Sequence, residues 1–228
     1  MRFVDDGVKT IDEMGSFTKV KIPYFAGDNN TESYVWLEKV SSLLKCKNGI
    51  VCEIGSRLGG GIVTMMNGLK FDRNFYYIGI DPYGSFPYPN AVSKDALYSN
   101  DMRSIFLTSI NYVCYDKKIN FQFYPMTSSQ FIKRFEDGVP VYDKNGNEII
   151  LNNYSLVHID GNHLYDSVKE ETFFFLNRMQ KNGIIVYDNV NDYDHYGKIE
   201  SILLEQGIFK KFDSFDNSSW MKESYIRI

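Results

Sequence analysis

Two groups of residues in this 228-residue chain have the types and spacing that do chemistry. The first is Glu53, Gly55, Gly59 and Gly61, within Val51-Cys-Glu-Ile-Gly-Ser-Arg-Leu-Gly-Gly-Gly-Ile-Val63. An apolar run from Gly49 to Cys52 reads as a short buried strand, and glycines let the backbone turn sharply beside a ligand. The stretch therefore reads as a strand, a nucleotide-binding turn that contains Ser56, and the start of a helix. A ligand-free turn between strand and helix is the plain alternative. The dinucleotide pattern Gly-x-Gly-x-x-Gly fails, because its third position counted from Gly59 is Thr64, and Arg57 breaks the count from Gly55.

The second group is Asp160, His163, Asp188 and Asn189. Tyr154-Ser-Leu-Val-His-Ile159 reads as a strand ending in Asp160-Gly-Asn-His163, and Ile184-Ile-Val-Tyr187 as one ending in Asp188-Asn189. In a parallel sheet both ends open onto the edge that carries the glycine turn, so Asp160, Asp188 and Asn189 are expected to converge. Two carboxylates and an amide oxygen suit a hard divalent cation such as Mg2+. Taken singly, each is an ordinary turn residue. A histidine takes a proton near neutral pH, so His163 suits a general base acting on a substrate hydroxyl; bonding to a carboxylate or capping a helix is its other reading. His158, inside an apolar strand, is expected to be a satisfied core residue. His195, on the loop after the fifth strand, is the reserve base.

The elements that must position these groups follow from periodicity. Helices are expected at Glu32–Lys45, Ile62–Leu69, Asp101–Asp116, Leu164–Gln180 (stopped by Lys181-Asn-Gly183) and Gly197–Glu205. Strands are expected at Phe75–Ile80, Ile119–Tyr124 and the two already named, with an antiparallel pair at Phe209–Phe215 and Ser219–Ile228. Phe75–Ile80 ends on Asp81-Pro82. An acid there is placed to accept from the two hydroxyls of a ribose, although Asp before Pro also opens turns. Asn145-Gly146 between β-formers signals a hairpin insert at 136–153. The fold class is α/β: a Rossmann-like doubly wound sheet, mostly parallel, with a C-terminal antiparallel strand pair. One domain is expected over 1–228, with 1–29 as its leader.

With 43% hydrophobic residues, the chain is ordinary for a soluble domain. A net charge of -4 argues against a general nucleic-acid binder. No apolar run reaches the roughly 18 residues of a membrane span, and the N-terminus lacks a signal-peptide profile. Cys46, Cys52 and Cys114 lack the spacing of a zinc or disulfide framework and suit a reducing cytoplasm. A homo-oligomer is compatible with all of this.

The pattern acid-x-Gly-x-x-x-Gly-x-Gly at Glu53–Gly61 resembles the first motif of the class I S-adenosylmethionine-dependent methyltransferases. Val157-His-Ile-Asp-Gly-Asn-His-Leu-Tyr-Asp166 and Gly183-Ile-Ile-Val-Tyr-Asp-Asn-Val190 resemble the metal-dependent O-methyltransferases, the catechol type and the macrocin and sugar O-methyltransferase relatives. The resemblance implies a seven-stranded sheet. It also implies S-adenosylmethionine held by Glu53, Gly55, Ser56, Gly59, Gly61, Asp81, Met126, Thr127, Ser128 and Asp160. The metal would be held by Asp160, Asp188 and Asn189, with Asp160 and His163 catalytic. Catechol-type enzymes carry a lysine where His163 stands, which argues against a catechol; chelation by the metal and the family analogy imply a vicinal diol on a sugar, glycoside or other small molecule. A metal-independent methyltransferase and a non-catalytic cofactor-binding scaffold are the alternatives.

Overall fold

A computed structural model describes residues 31–84, 100–143, 145–192, 196–205, 207–217 and 221–228, with short strands at 2–4, 9–11, 17–19, 22–24, 86–87 and 97–98. Its centre is a seven-stranded sheet, with strands β1 (Gly49–Ile54), β2 (Phe75–Ile80), β3 (Phe121–Tyr124), β4 (Tyr154–Ile159), β5 (Met179–Tyr187), β6 (Phe209–Asp216) and β7 (Met221–Arg227). They lie in the order β6-β7-β5-β4-β1-β2-β3. β1 to β5 are mutually parallel, and β7 runs antiparallel to both β5 and β6. This is the Rossmann-like doubly wound arrangement expected from the sequence.

Among the described residues six α-helices flank the sheet: α1 (Thr31–Ser42), α2 (Gly60–Gly68), α3 (Asn100–Lys117), α4 (Ser128–Arg134), α5 (Tyr165–Leu176) and α6 (Tyr196–Glu205). The core is correspondingly in two layers. Val51, Leu156, Ile184, Val186 and Ile226 pack with α1, α2 and α3, whereas Ile50, Cys52, Ile54, Val157 and Ile159 pack with α4, α5 and α6. Successive strand residues face opposite sides. Glu53 therefore shares a side with Val51, His158 with Leu156, and Lys222 with Ile226. The order in which strands are added reverses between β1 and β4, the point at which open α/β sheets bind ligands beyond the strand ends.

Several boundaries differ from the sequence reading: α1 ends at Ser42 rather than Lys45 and β3 starts at Phe121 rather than Ile119, and the largest shift lies between α5 and β5. α5 stops at Leu176 rather than Gln180, because the Arg178 amide bonds to Phe175 O in a turn and its guanidinium caps Phe174 O at 2.8 Å. β5 starts at Met179, so Lys181-Asn-Gly183 lies within a strand, and Asn182 takes a positive φ of 64° where the register shifts. The hairpin pairs Val139–Tyr142 with Glu148–Leu151. Its turn is longer than a two-residue Asn-Gly turn: Asp143 Oδ1 accepts from the amides of Asn145 and Asn147, at 2.8 Å each. Tyr124 OH and Gln122 Nε2 both donate to Pro140 O, fastening the hairpin to β3. Among the described residues no helix is long and apolar enough to cross a membrane.

Candidate functional site

The ends of the parallel strands are level. The first amide beyond each strand bonds to a carbonyl of its neighbour: Gly55 N to Ile80 O, Asp81 N to Tyr124 O, Asp160 N to Ile54 O, and Asp188 N to Ile159 O. Gly55, Asp81, Asp160 and Asp188 thus sit in one row along one rim of the sheet.

The glycine turn is clamped to the end of β2. Asp81 Oδ2 accepts the Arg57 amide at 2.9 Å, and Oδ1 accepts that of Tyr83 at 3.2 Å. The Tyr83 hydroxyl donates back to Arg57 O, while its ring stacks on Phe106. Burial pushes the Asp81 carboxyl up to about 6, against the pull of these amides. Gly55 has a φ of +84°, and a side chain there would strike the backbone of Asp160. The Ser56 hydroxyl is buried and has no hydrogen-bond partner among the described residues.

Glu53 turns inward. It is 1% exposed; Oε2 accepts the Ile62 amide of α2 at 3.0 Å, and Oε1 lies 3.1 Å from His158 Nδ1. Each oxygen thus has one partner in the protein, and through the Ile62 amide Glu53 braces the start of α2. Burial, with Asp160 nearby, raises its carboxyl well above the usual range. His158 is only half satisfied, contrary to expectation: its Nε2 has no partner among the described residues. Burial and the charge of Lys222 hold it neutral, with a pKa of about 3.

Of the expected adenine contacts, Thr127 caps α4 in a reciprocal box with Gln130, and Met126 packs against the core. The Ser128 hydroxyl interacts with Glu171, a fully buried acid of α5 pushed up to about 8 by burial. His195 lies outside the described residues.

The acidic group does converge. One atom each of His158, Asp160 and Asp188 lie within 4.8 Å of one another. His163 Nε2 stands 3.9 Å from Asp160 Oδ1. Asn189 follows with a φ of 50°, its buried Oδ1 lacking a partner among the described residues. Burial and Asp160 push the Asp188 carboxyl up to about 6; Asp160 itself is held low, since His163 and Lys222 outweigh its burial.

One member of this group was not anticipated. Lys222 of β7, 1% exposed, places its Nζ 2.8 Å from Asp188 Oδ1. Burial alone would neutralise it, but Asp188 and Asp160 reverse the balance and raise its pKa. The ammonium also lies 5.6 Å from the centre of the Tyr34 ring. The Lys-Glu-Ser run within an apparent terminal strand gave no sign of it; only the shared face with Ile226 marks the position as inward.

Lys222 decides whether a divalent ion fits. A doubly charged ion on the same carboxylate would face the fixed positive charge of the ammonium and compete with it for Asp188 Oδ1. A divalent ion on Asp160, Asp188 and Asn189 would have to share Asp188 with Lys222, so the lysine opposes its binding there.

A family model described as methyltransferase domain matches residues 52–190. No curated protein matches the chain significantly. Among solved structures, the O-methyltransferase TomG from Streptomyces achromogenes, involved in tomaymycin synthesis and solved in complex with SAM, is similar at 10% identity and a TM-score of 0.57, over 92% of this chain and 84% of its own. CalS11, a TDP-rhamnose 3'-O-methyltransferase of calicheamicin biosynthesis, is 12% identical with a TM-score of 0.52, over 88% and 80%. The fibrillarin pre-rRNA processing protein of Methanococcus jannaschii is 12% identical with a TM-score of 0.54, over 96% and 82%. At these identities the likeness is one of fold.

Proposed function

This chain belongs to the methyltransferase domain family, and on that premise we propose that it transfers the methyl group of S-adenosylmethionine to a hydroxyl of a sugar, glycoside or other small molecule. The observation that carries this reading is the level rim, on which the glycine turn, Asp81, Asp160 and Asp188 stand in one row. The residues suit the cofactor: the buried Ser56 hydroxyl has no partner among the described residues, and the Asp81 carboxylate keeps acceptor capacity beyond the two amides it holds.

When bound, S-adenosylmethionine supplies an activated methyl group. The backbone of Gly55, Ser56, Gly59 and Gly61 lines its methionine and ribose portions, Asp81 accepts from the ribose hydroxyls, and Met126, Thr127 and Ser128 border the adenine. His163 takes the proton that the acceptor hydroxyl gives up, and Asp160 steadies the imidazolium that results. Orientation supplies much of the rate, because the donor is already activated. The divalent cation does not enter this reading, since Lys222 stands against Asp188. A vicinal diol is then not required; one hydroxyl suffices. The acidic net charge favours a small acceptor over nucleic acid.

The test is calorimetric titration with S-adenosylhomocysteine, followed by transfer of labelled methyl to a panel of sugars, glycosides and phenols. Binding and a methylated oxygen support the proposal. Binding without transfer to any acceptor would leave a cofactor-holding scaffold, and no binding would remove the reading altogether.

A further inference from the structure

The register of the sheet fixes where Lys222 stands. Tyr187 pairs with Glu223 across β5 and β7, so the next residues outward, Asp188 and Lys222, meet at the rim. The lysine side chain points to the α1–α3 side and is enclosed there between Asp188 Oδ1 and the Tyr34 ring. The Tyr34 hydroxyl in turn lies against Gly60, at the first turn of α2. A buried ammonium therefore sits between the acidic pair and the glycine turn. A side chain so buried (1% exposed) cannot discharge its counter-ion to water.

We propose that Lys222 is a built-in cation that takes the electrostatic place of a metal at this rim, so that the chain binds no divalent ion there. The use made of the charge rests on the methyltransferase reading; the exclusion of metal does not. Lys222 is a positioning residue. It holds Asp188 beside Asp160, and Asp160 faces His163. The ammonium leaves the Asp160–Asp188 pair one net negative charge. Substitution by methionine, similar in length and uncharged, removes the competing cation and releases Asp188. Asn189 Oδ1, buried and unpartnered among the described residues, is then a ready third oxygen donor.

The experiment uses the full chain as wild type, Lys222→Met and Lys222→Arg. Free Mn2+ is followed by its electron paramagnetic resonance signal, folding by thermal melting, and the cofactor pocket by titration with S-adenosylhomocysteine. Wild type and Lys222→Arg are expected to leave Mn2+ free, while Lys222→Met takes it up with an affinity about 10–100-fold above wild type. Chelation with EDTA is expected to leave the S-adenosylhomocysteine affinity of wild type unchanged. Stoichiometric Mn2+ binding by wild type overturns the proposal, and so does a folded Lys222→Met that leaves Mn2+ as free as wild type does. If Lys222→Met does not fold, the Mn2+ titrations of wild type and Lys222→Arg decide alone. Failure to bind S-adenosylhomocysteine counts against the methyltransferase reading and leaves the metal result standing.

Discussion

Asp81 Oδ2 accepts the backbone N–H of Arg57 at 2.9 Å, which ties the acid at the end of β2 to the middle of the glycine turn. The same carboxylate is thus a fastener of the turn and the proposed acceptor for a ribose. Both roles need its charge, since a protonated carboxyl accepts hydrogen bonds less strongly.

Burial pushes Asp81 up to about 6, so it is ionised above that pH and neutral below it. The affinity for S-adenosylhomocysteine is therefore expected to fall as pH drops through 6, by up to about tenfold per pH unit where only the ionised form binds. Asp81→Asn should weaken binding about tenfold or more at pH 7.5 and flatten this dependence. Titration calorimetry between pH 5 and pH 8 measures both; an equally steep fall in the variant assigns the dependence to another group.

Glu171 carries a second, separable pH effect, on stability. Its carboxyl is pushed from 4.5 to about 8 by burial in the α4–α5 layer, so the folded chain keeps a proton that the unfolded chain has already lost. Where the native state binds more protons, stability falls as pH rises. The loss runs from about pH 4.5 through about pH 8. Glu171→Gln removes this titration. Its melting temperature should match wild type near pH 4 and exceed it increasingly toward pH 9, by about 10 °C at most. A constant difference across that range would show that Glu171 does not titrate there.

Gly61 tests the inward role of Glu53. A methyl group on Gly61 would run into Glu53 Oε1, beside His158 Nδ1, with no open space to move into. Gly61→Ala is expected to cost about 1–3 kcal/mol in urea unfolding, the usual range for overpacking a closed site. Gly197, in the first turn of α6, has nothing within 4 Å of an added Cβ. Gly197→Ala should leave stability unchanged or slightly raise it, and serves as the control.

What the sequence showed and what it hid have physical causes. β1, β2 and β4 are short apolar runs buried on both faces, each closed by an acid or a glycine, so the rim residues Gly55, Asp81 and Asp160 were legible from local pattern. The convergence of Asp160 with Asp188 followed from parallel topology alone. Lys222 was hidden because its burial depends on a non-local pairing, β7 against β5, and a lysine between Met221 and Glu223 carries no local mark of it. The inward bonds of Glu53 were hidden as well. Its spacing to the glycines matched a ligand-facing acid, yet the alternation of β1 turns it toward α2 and His158. The end of α5 was misplaced because Asn182-Gly183 looks like a helix stop, whereas the turn at Arg178 ends the helix earlier.

His163 gives the sharpest test of the chemistry. Its Nε2 lies 3.9 Å from Asp160 Oδ1, close enough for the carboxylate to stabilise an imidazolium and too far for it to take the proton itself. A base so placed is expected to act on the rate and not on cofactor binding. His163→Gln keeps a polar side chain of similar reach but cannot carry the proton. Turnover on any acceptor found in the panel should fall about 100–10,000-fold, while the melting temperature and the S-adenosylhomocysteine affinity stay near wild type. Loss of affinity together with rate would mean that His163 shapes the pocket. Full turnover in the variant would move the proton to another group on the rim, with Asp188, its carboxyl raised to about 6, the next to examine.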